Sequence, residues 1–563
     1  MQREVATTDR VSYIASFDKH AADGNDYEDA KTPCDLEGGA LRDGGALVYS
    51  SLEVLALIYQ YAMVGIVYGG FGVMKYPILT GYFGLETNVL NSANALLNLG
   101  WSLKFVFGML NDCFPIFGYQ RKPYMLVGWG LTAVLLVVTA IRPAGEANSQ
   151  VDGATFALLC TCTGFCYVMA DVAQDGLMLA YAQREPLAVR GRLQSYIYGT
   201  RFVFSAIISA ICGFCLNSKQ FAGQFDWDIG VNGYFWILAV PAVINIPIVW
   251  FCIKDTKTEA VQFSVYFNQL WTLVQKRAVW QVLIFNFVFN FFTTSILSTA
   301  SSYVMLYWAG VESLNYSIIS VVGNLLFAVV LYVTGTYGTH WNWRYVLVST
   351  VLVANVIDSI CQFCTIYDVV RYQWFYLGVP LLEQIPLGIN FVVGTYVIVE
   401  LAELGNEGVM YGLLTTVSNL PGTFGTLVSN VICAQLAFSK ALIEEDAPAT
   451  RDAVAQSYYI QYGSMVLGCL AVVLLPSQKA AVAELKKNGG SQPRIAAFIF
   501  FTLFTTLCVA ITGSLSSMYE STNCLMLAGG GGCEVEPSGT YLLGIFVPVG
   551  LALLLIAKFT FFH

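Results

Sequence analysis

The sequence predicts an all-α polytopic membrane protein, two six-helix bundles followed by an extra two-helix hairpin. Three observations predict it. Of 563 residues, 56% are hydrophobic and only 12% are charged, about half of the roughly 25% charged share of a soluble chain. Apolar runs of about 20 residues, the length that crosses a bilayer, recur along nearly the whole chain. They are too long and too continuous for barrel strands. The runs fall six on each side of a polar central segment, with two more at the end.

In order, residues 1–46 read as a disordered acidic tail. Its ten Asp and Glu against five Lys and Arg supply −5 of the net −9. That balance excludes a nucleic-acid partner and a basic mitochondrial presequence. No short apolar run precedes the tail's end, so the first membrane helix is expected to direct insertion. Helices are expected at about 48–76, 87–110, 123–141, 153–182, 192–216 and 233–253, making an N-terminal bundle over 47–253. The central segment 254–277 carries Phe263, Phe267, Leu270, Trp271 and Val274 at helical spacing, the stripe of a helix lying in the membrane interface. The second bundle, 278–476, is expected at 278–308, 314–337, 343–366, 373–401, 408–436 and 456–476. The hairpin, 477–563, has helices at about 493–516 and 540–562.

Loop charges set the orientation. With the acidic tail cytoplasmic, the inner loops carry Arg121, Lys122, Arg184, Arg190, Arg192, Lys254, Lys257, Lys276, Arg277, Arg344, Lys479, Lys486, Lys487 and Arg494, fourteen in all. The outer loops carry Lys75, Arg142, Lys219, Arg371, Lys440 and Arg451, only six. Both termini are therefore expected inside; a plasma membrane is favoured as the location and an endomembrane stays open. Loop 517–539 then lies outside, where an oxidising exterior favours a Cys524–Cys533 disulfide over two free thiols. The pairs Cys212/Cys215 and Cys361/Cys364 lie inside apolar runs, where cysteine serves as a small packing residue. His20, His340 and His563 have no metal spacing. No metal, cofactor, nucleotide-binding loop or catalytic constellation is expected, so the chain does not read as an enzyme or an ATP-driven pump.

Three charges stand out in the fourth and fifth helices. Asp171 and Asp175 are four apart and share a helix face. Arg201 lies on the next helix, and the turn between is centred near 186, so Asp171 and Arg201 are both fifteen residues from it. At about 1.5 Å per residue this is roughly 22 Å, near the bilayer midplane. The two are expected to pair across the hairpin, either as a lock between helices or as part of a transport path, because unpaired charge in lipid costs several kcal/mol. Lys104 either snorkels to the interface or joins Arg201 in a basic cavity lining suited to an anion. In the second half the polar candidates are Glu383, Asn286, Asn290, Asp358, Asn390 and Asn419. Glu383 reads as a proton or substrate ligand or as a packing hydrogen bond, and Asn286 and Asn290 as packing more than contact. The ring of Tyr198 reads either as a stacking surface for a flat ring or as a lipid-facing or core aromatic.

The stretch Lys104-Phe-Val-Phe-Gly108-Met-Leu-Asn-Asp112-Cys-Phe-Pro115-Ile-Phe-Gly118-Tyr-Gln-Arg121-Lys122 follows the second helix. Gly108 permits close helix approach, and Asp112 can accept hydrogen bonds from the next helix N-terminus or pair with Arg121. Breaking that pair would be one step in rocking two helices apart; a topogenic basic turn is the plainer reading. The pattern resembles the cytoplasmic gating motif of the major facilitator superfamily. Its extended form, with Trp101-Ser-Leu-Lys104, Ala170-Asp171-x-x-x-Asp175, Gly191-x-Leu-Gln194-Ser195 and the Glu400–Tyr411 stretch followed by Ser418-Asn419, resembles the folate–biopterin transporter family. Gly100, Phe105, Ala402 and Glu403 depart from its usual prolines and Cys-Pro. The resemblance spans roughly 50–476.

This resemblance implies two bundles rocking around a central cavity, and secondary transport of a folate, a pterin or a related small metabolite. A midplane carboxylate pair suits proton coupling, because desolvation disfavours the charged carboxylate. Facilitated diffusion of another metabolite, or a non-transporting receptor, stays open. The implied partners are the small-molecule substrate, protons and the lipid bilayer.

Overall fold

The computed structural model describes residues 47–182, 184, 192–258, 260–338, 341–401, 407–535 and 537–561. The acidic tail and part of the Glu400–Tyr411 signature lie outside the described residues. Twelve helices among the described residues are long and apolar enough to cross a membrane.

The first half holds α1 (Leu52–Met74), α2 (Thr87–Ser102 and Lys104–Cys113), α3 (Lys122–Ile141), α4 (Gln150–Ala182), α5 (Arg192–Cys215) and α6 (Gly230–Cys252). Local chemistry sets several starts: the Ser51 hydroxyl caps α1 by accepting from Val54 N–H, and a proline stands in the first turn of α3. α1 runs on through π-helical turns, Lys75–Tyr82. Lys75 therefore belongs to a membrane helix, not to the loop where its charge had been counted.

The link to the second half is α7 (Phe263–Gln275). Leu270 and Val274 are buried under it, and Phe267 and Trp271 stack on Phe500. The second half holds α8 (Arg277–Asn290, extended through broken turns to Trp308), α9 (Ser313–Tyr337), α10 (Trp343–Ile366), α11 (Gln373–Leu381 and Gln384–Leu401), α12 (Glu407–Cys433), short α13 (Lys440–Glu445) and α14 (Pro448–Gly468). After α15 (Lys479–Asn488) come the hairpin helices α16 (Pro493–Ser516) and α17 (Leu543–Phe561). Of the fourteen expected spans, α2 and α12 are the two outside those twelve; α2 is interrupted at Leu103.

Glycines let the helices approach. On α1, a Cβ at Gly65 would stand 2.4 Å from the Arg201 carbonyl oxygen, and one at Gly69 2.3 Å from the Ser205 hydroxyl, so α5 lies against α1. The halves meet along α5–α9 and α2–α12. At the end away from α7, here the far end, hydrogen bonds latch the halves. Ser313 N–H donates to the Ala222 carbonyl (3.0 Å), Lys440 to the Gly84 carbonyl (3.0 Å), and Asn430 to Asn88 and Ser92 (3.1 and 2.9 Å). Tyr303 donates to the Leu85 carbonyl.

The hairpin covers the α2–α12 seam. α16 packs on both helices, and Gly513 leaves room for Leu427. Its cap carries a disulfide between Cys524 and Cys533.

Candidate functional site

The break in α2 builds the charged site. Leu103 leaves helical geometry (φ −105°, ψ 9°), so a second helical segment starts at Lys104. The backbone N–H of Phe105, beside the break, donates to the Thr416 hydroxyl of α12 (3.2 Å), which repairs a donor the apolar interior would leave unmet. The redirected Lys104 side chain is 10% exposed. Its ammonium lies 2.7 Å from Asp171 and 3.0 Å from Asp175. The carboxylates are one turn apart on α4, and a compact ammonium fits between them.

Neighbours complete the cluster. Tyr61 of α1 donates to Asp175 (2.7 Å), and Gln174 donates to Asp171 (3.2 Å). Trp101 donates its indole N–H to Tyr167 (3.1 Å), and its ring lies 4.6 Å from the Lys104 ammonium. Arg201 does not take the expected pairing with Asp171. Its guanidinium stacks over Tyr68 (5.0 Å) and Trp101 (4.9 Å). The physical reason is shape: a planar guanidinium lies flat on rings, while the lysine point charge bridges two carboxylates. Lys104 neither snorkels nor offers a free positive charge, since two aspartates hold it. Tyr198 meets Tyr61 edge-on at 6.1 Å; the side chain of Gln194 lies outside the described residues.

A cavity of about 470 Å³ lies between the halves, within the range of small-molecule sites. From α1 and α5 it takes Tyr68, Gly69, Ser205 and Ser209. From the second half it takes Tyr316, Asn324, Asp358, Gln362, Tyr376 and Gln384. Tyr68 joins the two features, one ring lining the cavity and carrying Arg201. Asp358 accepts from Gln362 (3.0 Å), Tyr462 (2.9 Å) and Gln461 (3.4 Å).

Other expected second-half ligands stand elsewhere. Glu383 sits in the interruption of α11, next to the cavity-lining Gln384, with one buried carboxylate oxygen lacking a hydrogen bond. Asn290 donates to the Asn286 carbonyl (2.8 Å) within α8, and Asn419 is exposed on α12. None of the four lines the cavity among the described residues.

The motif loop is docked at the α7 end. Asp112 pairs with Arg121 (2.7 Å). Arg121 rests on Gly176, where a Cβ would be 2.6 Å from its Nε, directly after Asp175. The turn after Pro115 needs Gly118 at φ +82°, and the Gly118 carbonyl accepts from Thr258 N–H (3.0 Å). Lys122 opens α3, and its N–H and that of Arg121 donate to Asp255 (2.9 and 3.1 Å). Asp255 was not singled out in the sequence; an acid just past a membrane helix was its only signal. Gly108 faces Val172 at 3.9 Å.

Residues 69–441 match the model of the BT1 family. The chain is 24% identical to the folate-biopterin transporter of Synechocystis sp. over 68% of this chain and 75% of that one. It is 31% identical to the probable folate-biopterin transporter 6 of Arabidopsis thaliana over 17% of this chain and 21% of that one. Among solved structures, a D-xylose–proton symporter matches with TM-score 0.55 and 13% identity over 76% of this chain and 98% of that one. The POT family transporter PepTSo matches with TM-score 0.57 and 10% identity over 77% and 98%. These likenesses show a major facilitator fold. The family and the fold are those of transporters and not of enzymes, and the chain belongs to the BT1 family of membrane transporters, among whose relatives are the folate–biopterin transporters.

Proposed function

We propose that this transporter moves a folate, a pterin or a related small metabolite by alternating access, with the Lys104–Asp171–Asp175 cluster coupling substrate movement to protons. The observation that carries the reading is the cavity between the halves, walled on one side by Tyr68, whose ring carries Arg201. The substrate class rests on the named relatives. Coupling rests on chemistry: one ammonium and two carboxylates carry a net −1, protonating one aspartate leaves a neutral one-to-one pair, and that change in buried charge favours a different helix arrangement.

The α7 end is proposed as cytoplasmic, with both termini there, in the plasma membrane. The far-end latch then closes the outer side. The units proposed for the chain are 47–253, 254–277, 278–476 and 477–563, after the tail 1–46.

Uptake by proteoliposomes of labelled folate, biopterin and unrelated metabolites, with and without a pH gradient, tests the reading. Concentrative pterin or folate uptake that collapses with the gradient supports it. Uptake that only equilibrates indicates a facilitator, and binding without flux a receptor. No binding or flux for any pterin or folate sinks the substrate class.

A further inference from the structure

The second-half wall of the cavity holds a carboxylate without a counter-charge. Asp358 lines the cavity, and among the described residues no Lys, Arg or His lies within ion-pair distance of it. Its holders are neutral donors. Gln362 and Gln461 donate through their amide nitrogens and Tyr462 through its hydroxyl. The Gln362 amide is itself oriented, because its oxygen accepts from Tyr376 (3.3 Å). The three groups hydrogen-bonded to Asp358 thus all present N–H or O–H, which holds it as an acceptor at the cavity wall, while Glu383 is a second acid in its neighbourhood.

The acceptor capacity is not exhausted. Oδ1 takes one protein hydrogen bond and Oδ2 takes two, of which the Gln461 contact at 3.4 Å is the weakest. A carboxylate offers about four lone-pair sites. A ligand with two parallel N–H groups can therefore engage both oxygens, using the open site on Oδ1 and replacing Gln461 on Oδ2. The surrounding wall suits a flat ring. Tyr68, Tyr316 and Tyr376 offer aromatic faces and edges, and Met305, Ile319, Leu377 and Leu381 close the apolar sides.

We infer that Asp358 is the recognition group for an aminopyrimidinone edge, an exocyclic amine beside a ring N–H, and that it orients the heterocyclic end of the substrate toward the second half. This deepens the proposed function and rests on its substrate class. With the ring end on Asp358, the opposite end of a longer substrate points toward the Tyr68–Arg201 wall, where an anionic tail meets positive charge.

The test measures binding and uptake of pterin and of its 2,4-dioxo analogue, which carries an oxygen in place of the 2-amine. The protein is the full chain in proteoliposomes. The wild type is expected to favour pterin by at least about tenfold, the discrimination typical of a site that hydrogen-bonds a missing group. Asp358→Asn, which offers a donor to the 2-oxo group, is expected to lose about tenfold or more for pterin and to erase or reverse the preference. A folded Asp358→Asn that keeps the preference overturns the inference while leaving the transported class intact. A wild type that binds neither compound removes the substrate class itself, and the inference with it. Should Asp358→Asn fail to fold, Tyr462→Phe and Gln362→Ala, which loosen the carboxylate, are expected to weaken the preference; an unchanged preference in both overturns the inference.

Discussion

The ammonium of Lys104 lies 2.7 Å from the carboxylate of Asp171, a group with 0% exposure. A second aspartate, Asp175, shares the same ammonium at 3.0 Å. Removing the cation strands two carboxylates in a low-dielectric interior. Lys104→Ala is expected to cost about 3–5 kcal/mol of stability and to abolish uptake. The triple variant Lys104→Ala, Asp171→Asn, Asp175→Asn is expected to regain much of the stability and none of the coupled uptake. Thermal unfolding in detergent and uptake under a pH gradient measure the two effects separately.

The α1–α5 contact is set by backbone, not by side chains that can move. A methyl on Gly65 would stand 2.4 Å from the Arg201 carbonyl oxygen. Gly65→Ala is therefore expected to destabilise by about 1–3 kcal/mol through overpacking and to shift Arg201 off the rings of Tyr68 and Trp101. Gly130, on α3 with nothing within 4 Å of a Cβ, provides the control. Gly130→Ala is expected to be neutral or stabilising by up to about 1 kcal/mol. Equal losses in both variants would remove the contact argument.

Much of this architecture was legible from hydropathy alone, because lipid admits few alternatives to helices. The charges Lys104, Asp171, Asp175 and Arg201 were legible for the same reason: each is expensive in an apolar run. Their pairing was not. Depth along an antiparallel hairpin placed Asp171 level with Arg201, but it says nothing about the rotation of α2, which the break at Leu103 sets. Nor can hydropathy reveal a wall built from neutral amides. Asp358 was only one polar residue among several until Gln362, Gln461 and Tyr462 were seen to hold it.

Asp255 ties the segment after α6 to the start of α3. It accepts from the backbone N–H groups of Arg121 and Lys122, two donors that α3 cannot satisfy internally. Asp255→Ala is expected to cost about 0.5–2 kcal/mol, the usual loss for a helix cap. It also frees the Arg121–Asp112 pair to break more readily. Uptake kinetics are expected to show an altered maximal rate with the half-saturating concentration little changed, because the cavity is untouched. A change confined to the half-saturating concentration would place Asp255 in substrate binding instead.

At the far end, Asp446 accepts from both Arg371 and Arg451, at 2.5–3.0 Å from the first and 2.7–2.8 Å from the second. Hydrogen bonds from Arg371 hold its carboxyl well below the usual carboxylate range; partial burial opposes them, and Arg451 adds to them. A depressed folded-state value stabilises the fold wherever the unfolded carboxyl is ionised, above about pH 4. The contribution fades as pH falls below that value toward the folded one. Asp446→Asn is therefore expected to lower the unfolding temperature by a constant amount between about pH 5 and 8, and the gap to the wild type is expected to narrow below about pH 4. The same clamp holds Arg371 against the Trp308 ring at 4.9 Å, and Trp308 donates to the Ile443 carbonyl of α13 (2.8 Å). Since Lys440 at the head of α13 reaches across to Gly84, loosening Asp446 is expected to weaken the latch between the halves. Cross-linking yield of an introduced cysteine pair at Ala222 and Ser313, whose latch hydrogen bond runs between backbone groups and survives the replacement, checks this: the yield should fall in Asp446→Asn, and an unchanged yield would show that the clamp and the latch are independent.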